Sequence, residues 1–153
     1  MLRDDISQAL KTAMKAKDQR VTSTLRLIMV AIKDRDIAAR GGSASDGISD
    51  DEIMKVMQTM IKQRRDSIDM YEKGNRPELA QQEADEIEII REFLPEQMTD
   101  EAVEAAVASV IEELGAASLK DMGRTMGHLR EHYAGRMDFG KASSLLKERL
   151  GGG

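Results

Sequence analysis

The residues whose types and spacing could support chemistry concentrate between Ser118 and Asp138. At about 100° per residue, one face of the helix predicted here is apolar. That face is formed by Leu119, Met122, Met126, Leu129 and Tyr133. Gly123 and Gly127 fall on roughly the opposite face, beside Lys120 and Arg124. A glycine inside a helix costs about 1 kcal/mol relative to alanine, so two of them one turn apart predict that another group approaches this backbone closely.

The approaching group could be a phosphate chain drawn in by the flanking cations, or a neighbouring helix. Phosphate contacts position a protein on nucleic acid without reading its bases. Aromatic residues make up only 3% of the chain, which argues against stacking on single-stranded bases. A structured RNA bound through its shape and backbone suits the composition better. The residues alone leave both interpretations open.

Two other groups of side chains are weaker candidates. His128 and His132 are four residues apart and could present two imidazoles to a metal, but Arg130 between them opposes a cation. Acidic residues gather between Glu83 and Glu92 without a nucleophile or an oxyanion donor cluster beside them. The chain has no cysteine, which excludes disulfides, thiolate metal sites and a cysteine nucleophile. We therefore predict no catalytic residue, no metal site and no cofactor.

A secondary basic patch is predicted on the third helix. Lys62 and Arg65 look outward, whereas Arg64 continues the inward row of Ile61. The alternative is a structural network that joins Arg64 to the acidic fourth helix, and this alternative is slightly favoured.

The composition describes a helical protein with many exposed helix faces. Hydrophobic residues make up 41% of the 153 residues and charged residues 33%. The net charge of −5 is segregated along the chain. Residues 1–40 hold 9 Lys/Arg and 5 Asp/Glu, whereas residues 77–117 hold 1 and 12. The overall charge therefore does not exclude a polyanionic partner, because binding depends on the local field.

Hydrophobic periodicity and helix caps predict an all-α fold. Helices are predicted over residues 2–17, 21–39, 50–73, 77–92, 99–115, from 118 onward and 138–150, with a loop at Gly41–Ile48. Leu94-Pro95 breaks the pattern, so we predict a helical N-terminal domain at residues 1–95 and a three-helix bundle at residues 96–150. Residues 151–153 are predicted to be a disordered end. The charged N-terminus and the absence of cysteine predict a cytoplasmic protein without a membrane segment.

Several short segments carry a family resemblance. KDMGRTMG at residues 120–127 and GRMD at residues 135–138 resemble the GatB/YqeY motif. LRLI at 25–28, KQRRDSI at 62–68 and FLP at 93–95 resemble the YqeY pattern in the same order. The resemblance covers nearly the whole chain, so a free-standing YqeY-like protein is a better fit than the tail domain of the amidotransferase B subunit. Arg124 stands where lysine is usual, and Met137 stands where a small residue is common.

The resemblance implies an accessory protein that binds tRNA or another structured RNA. The RNA-binding residues it implies are Lys120, Gly123, Arg124, Gly127 and Arg136. It also implies a family label of carbon–nitrogen ligase with glutamine as amido donor, and a possible amidotransferase or tRNA-linked complex as partner. Without a cysteine for glutaminase chemistry, we expect no catalysis by this chain alone. The alternatives are a helical protein–protein adaptor that does not bind RNA, and a subunit that contributes to amide transfer only inside a complex.

Overall fold

The computed structural model describes residues 1–39 and 47–151. Within these ranges the chain forms seven α-helices, one 3₁₀ turn and no strand, which confirms the predicted all-α fold. The helices are α1 (Leu2–Lys15), α2 (Gln19–Ala39), α3 (Asp50–Lys73), α4 (Pro77–Arg91), α5 (Asp100–Leu114), α6 (Met122–Tyr133) and α7 (Phe139–Gly151). Most of the loop predicted at Gly41–Ile48 lies outside the described residues.

The helix ends follow the predicted capping residues. The hydroxyl of Ser49 accepts a hydrogen bond from the backbone N–H of Glu52, and that of Thr99 accepts one from Ala102. Gly115 ends α5 with φ +63°, the left-handed conformation that glycine adopts without strain. Asp138 accepts a hydrogen bond from Lys141 N–H at the start of α7. The helix predicted to follow Ser118 begins instead with a 3₁₀ turn, Leu119–Asp121, before α6.

The chain divides into two compact units, Met1–Pro95 and Glu96–Gly153. In the N-terminal unit, α3 and α4 make the most extensive helix pair, and α1 and α2 also pack together. The core is almost entirely aliphatic and methionine-rich. Its fully buried members are Ile6, Leu25, Ile28, Ile32, Ile53, Met57 and Ile90.

In the C-terminal unit, each of α5, α6 and α7 packs against the other two. The core is formed by Val103, Val107, Val110, Met126, Leu129, Met137, Ala142, Leu146 and Leu150. Gly151 is the last residue of α7, against the expectation of a disordered end there, because the burial of Leu150 holds the final turn in place. Gly152 and Gly153 lie outside the described residues.

Candidate functional site

The two glycines of α6 form an open row on its solvent side. The helix buries Thr125, Met126 and Leu129, while Gly123 and Gly127 are exposed on the opposite side. A Cβ atom added at either glycine would meet no heavy atom within 4 Å. No described part of the C-terminal unit therefore packs closely on the row, and the other helices of this unit do not account for these glycines. We call Lys120, Gly123, Arg124, Gly127 and Arg130 the glycine face.

Arg124 has a structural role as well as a place on this face. Its guanidinium donates one hydrogen bond to the carbonyl oxygen of Leu114 and another to Oδ1 of Asp121, both at 3.1 Å. Leu114 is the last residue of α5, so Arg124 satisfies a carbonyl that the helix end leaves without an intrahelical partner. About half of the Arg124 side chain (52%) remains exposed. This cation joins α5 to α6 and is only partly free to contact a ligand.

Asp121 fixes the turn that leads into α6. Its Oδ2 accepts hydrogen bonds from the backbone N–H groups of Ala117 at 2.8 Å and Ser118 at 3.2 Å. These two bonds, followed by the bond from Arg124, lower the pKa of the Asp121 carboxyl because each favours the ionised form. The carboxylate is therefore charged at neutral pH and offsets part of the positive field of Arg124.

Lys120 and Arg130 supply the cations that are free on this face. Both side chains are exposed, and neither forms an ion pair with a described residue of the C-terminal unit. Arg130 follows Gly127 by three residues, which places it on the other side of the glycine row from Arg124. Arg130 was not among the predicted site residues, although its spacing of three residues from Gly127 indicates a place on the same face. Glu131 follows Gly127 by four residues and brings one negative charge to the end of the row.

Arg136 lies beyond the opposite end of α6 from Lys120. A helix of 12 residues is about 18 Å long, so the structure does not bring Lys120 and Arg136 together. The Arg136 guanidinium carbon lies 6.0 Å from the ring centre of Tyr133, within the range of a cation–π contact.

The turn that carries Arg136 is well packed. Gly135 adopts φ +76°, and its carbonyl accepts a 2.6 Å hydrogen bond from Gln97 Nε2. Met98 N–H donates to the carbonyl of Arg136 at 2.9 Å. Met137, which departs from the residue type common in the resembled motif, is buried in the core. A large residue is therefore accommodated at this position.

The secondary basic patch lies on α3 in the N-terminal unit. Lys62 and Arg65 are exposed there, three residues apart. Arg64 between them is mostly buried, with Nε 3.0 Å from Oε2 of Glu86 and 3.9 Å from Oε2 of Glu83. This geometry confirms the structural network with the fourth helix. Burial, followed by the charge of Glu86, raises the pKa of Glu83.

The rings of His128 and His132 contact each other, with their centres 4.2 Å apart and their planes tilted by 45°. His128 Nε2 lies 3.7 Å from a carboxylate oxygen of Glu113. Among the described residues, no group of three or more potential ligands is arranged to hold a metal ion. None of the described helices combines the length and the apolar character needed to cross a membrane.

Comparison with known proteins gives one family. The model of the family described as Yqey-like protein matches residues 3–150. A protein of Lachancea thermotolerans named Altered inheritance of mitochondria protein 41, mitochondrial, is 35% identical over 95% of this chain and 77% of its own length. Proteins of the same name from Vanderwaltozyma polyspora and Kluyveromyces lactis are 30% and 32% identical, over 76% and 71% of this chain and 64% and 58% of their own lengths.

These names contradict the cytoplasmic location predicted from the sequence, because they describe the relatives as mitochondrial. That prediction relied on the absence of cysteine and on the charged N-terminus, and neither feature distinguishes one reducing compartment from another. The match over residues 3–150 takes in both compact units and the whole glycine face. The chain belongs to the YqeY-like protein family.

Proposed function

We propose that this chain binds structured RNA, in the simplest case tRNA, through the phosphate backbone at the glycine face. The observation that supports this most strongly is the open row of Gly123 and Gly127, which no described residue of the C-terminal unit covers, between exposed cations. The cost of two glycines in a helix is otherwise unexplained by the packing of the C-terminal unit. A ligand that approaches the helix backbone explains both the residue type and the exposure.

Binding of a phosphate backbone at this face depends on distance and charge. Without Cβ atoms, a phosphate or ribose can lie directly on the helix, which brings it closer to Lys120 and Arg130. The strength of a charge pair increases as the separation decreases, and exposed charges more than about 8 Å apart are largely screened at physiological salt. Contacts of this kind recognise the shape of a folded RNA and do not need base stacking.

The proposal covers binding and assigns no catalytic step to this chain. Its place would be that of an accessory protein in a tRNA-linked assembly, with an amidotransferase-like label by family kinship. Kinship alone does not transfer catalysis, because activity belongs to a site and not to a fold.

The test is fluorescence anisotropy of a labelled tRNA with the full chain at 50 and 200 mM salt. Lys120→Glu is compared with Lys147→Glu, since both lysines are exposed and unpaired within the described part of the C-terminal unit. We expect Lys120→Glu to weaken binding by roughly tenfold and to reduce the salt slope by about 1, as expected for the loss of a phosphate contact. Lys147→Glu should change the affinity by less than about twofold. The absence of binding at 50 mM salt, or equal losses in both variants, would contradict the proposal.

A second candidate function is docking of a protein partner on the same face. Two observations favour it: Glu131 at the end of the glycine row would repel phosphate, and Arg124 is already engaged by Leu114 and Asp121. A helix could approach the open backbone closely without any RNA. In that case Gly123→Leu should abolish binding of the partner, and binding should neither need RNA nor fall steeply with salt.

A further inference from the structure

Helix α2 carries an apolar row on its solvent side, away from the core of the N-terminal unit. Leu27, Val30 and Ile37 are 46%, 56% and 50% exposed. Single exposed apolar side chains are ordinary, but these three lie on one line with Asp34. The successive spacings of three, four and three residues are those of the seam between two helices of a coiled coil. We call Leu27, Val30, Asp34 and Ile37 the α2 seam.

One edge of the α2 seam is basic. Arg26 and Lys33 are seven residues apart and each directly precedes a seam residue, so they lie along the same edge. Both are exposed, and neither forms an ion pair within residues 1–39 or 47–151. The other edge carries Ala31 and Ala38. The charges at such edge positions determine which helix can pair with α2. A basic edge favours a partner helix with an acidic edge.

Asp34 places a second requirement on any partner of the α2 seam, because its carboxylate lies in the middle of the seam and is exposed. Burying it without a counter-charge would be costly. A partner that covers the seam must therefore present a lysine or arginine at this point. A polar residue at one seam position also fixes the register of two helices.

We propose that the α2 seam docks one amphipathic helix of a protein partner. That helix carries apolar residues along its own seam, a basic residue opposite Asp34, and acidic residues facing Arg26 and Lys33. This surface belongs to the N-terminal unit and does not depend on the glycine face. The α2 seam requires apolar side chains from its partner. RNA does not offer them, since a phosphate backbone cannot cover an apolar row.

Other occupants fit less well. A second copy of the chain in a parallel arrangement would place two Asp34 carboxylates against each other. In an antiparallel arrangement the basic edges of the two copies would meet, and like charges repel. A lipid surface would accept the basic edge, but it would draw Asp34 into its apolar layer at a cost.

The probe is a labelled synthetic helix of 21 residues with leucine and isoleucine along its seam, one central lysine in the seam, and glutamates along both edges. Binding to the full chain is measured by fluorescence anisotropy. We expect Leu27→Glu to weaken binding at least tenfold. Met70→Glu is the matched control, because Met70 is 73% exposed on α3 of the same unit, and it should leave the affinity unchanged. Circular dichroism checks that both variants remain folded.

A charge swap gives a second readout. The Asp34→Lys variant should no longer bind the lysine probe. It should instead bind a probe in which the central lysine is replaced by glutamate. The proposal is overturned if the probe does not bind, if Leu27→Glu and Met70→Glu weaken it equally, or if the swap does not restore binding. It is also overturned by Leu27-dependent binding to vesicles of equal parts phosphatidylcholine and phosphatidylglycerol, or by a Leu27-dependent dimer in sedimentation equilibrium.

Discussion

Replacing Gly127 by alanine should stabilise the C-terminal unit. Gly127 is the sixth of the 12 residues of α6, so it lies in the helix interior, where alanine is favoured over glycine by about 1 kcal/mol. An added Cβ meets no heavy atom within 4 Å, and no steric cost offsets this gain. Gly123 lies in the first turn, where the gain should be smaller. A glycine in a helix interior is less stable than alanine, so its presence is expected where a ligand needs the space that a Cβ atom would occupy.

Gly115 provides a matched control for this substitution. A Cβ added there also meets no heavy atom within 4 Å, but its φ of +63° lies in the left-handed region. An alanine in that conformation costs about 1–2 kcal/mol. Gly115→Ala should therefore destabilise the C-terminal unit, whereas Gly127→Ala should stabilise it. The two variants add the same methyl group in open space and should differ by about 2 kcal/mol or more.

The tyrosines allow each unit to be followed separately. The chain has two, Tyr71 in α3 and Tyr133 in α6, and no tryptophan. In a Tyr71→Phe background, the fluorescence of Tyr133 reports urea unfolding of the C-terminal unit alone. With an m value of about 1–2 kcal/mol/M, a gain of 1 kcal/mol raises the midpoint by roughly 0.5–1 M. If Gly127→Ala lowers the midpoint, something packs on the glycine row and the reasoning about an open face is refuted.

Two further predictions concern charged side chains, one in each unit. Asp121 has a lowered pKa in the fold, so the stability it gives is present above its unfolded pKa of about 3.9 and is lost as pH falls through the folded value. The C-terminal unit should weaken in urea titrations as pH drops below about 4, and Asp121→Asn should flatten that dependence. Arg64→Gln removes the hydrogen-bonded cation of Glu86 and the nearby cation of Glu83, and it should cost about 2 kcal/mol, followed through Tyr71 in a Tyr133→Phe background. The exposed neighbour substitution Arg65→Gln should stay within about 0.5 kcal/mol, and equal losses in both would contradict the role of Arg64.

The sequence predicted those features that depend on neighbouring residues. The caps at Ser49, Thr99 and Asp138 and the stop at Gly115 use side chains or backbone conformations within a few residues of the helix end. The inward position of Arg64 followed from the periodicity of one helix. Local chemistry is enough for such predictions because every group involved lies on the same turn or the next one.

Contacts between helices could not be predicted from the sequence in the same way. The hydrogen bond from Arg124 to the carbonyl of Leu114 depends on how α5 docks on α6, which periodicity does not specify. The α2 seam was not predicted for another reason: the inward row of Leu25, Ile28 and Ile32 already gives α2 an amphipathic pattern, which obscures the outward apolar row. A second apolar row becomes visible only when the exposure of each side chain is known.

The two proposed surfaces differ in the charge and polarity that they require, so their effects can be separated in one set of variants. The glycine face needs cations beside bare backbone, whereas the α2 seam needs apolar side chains with one carboxylate. Lys120 and Leu27 belong to different compact units, so each substitution should be local. Lys120→Glu should weaken tRNA binding and leave the helical probe bound as before, and Leu27→Glu should do the reverse. A substitution that weakens the binding of both ligands would indicate a global change in the fold. Neither surface could then be assigned from that variant.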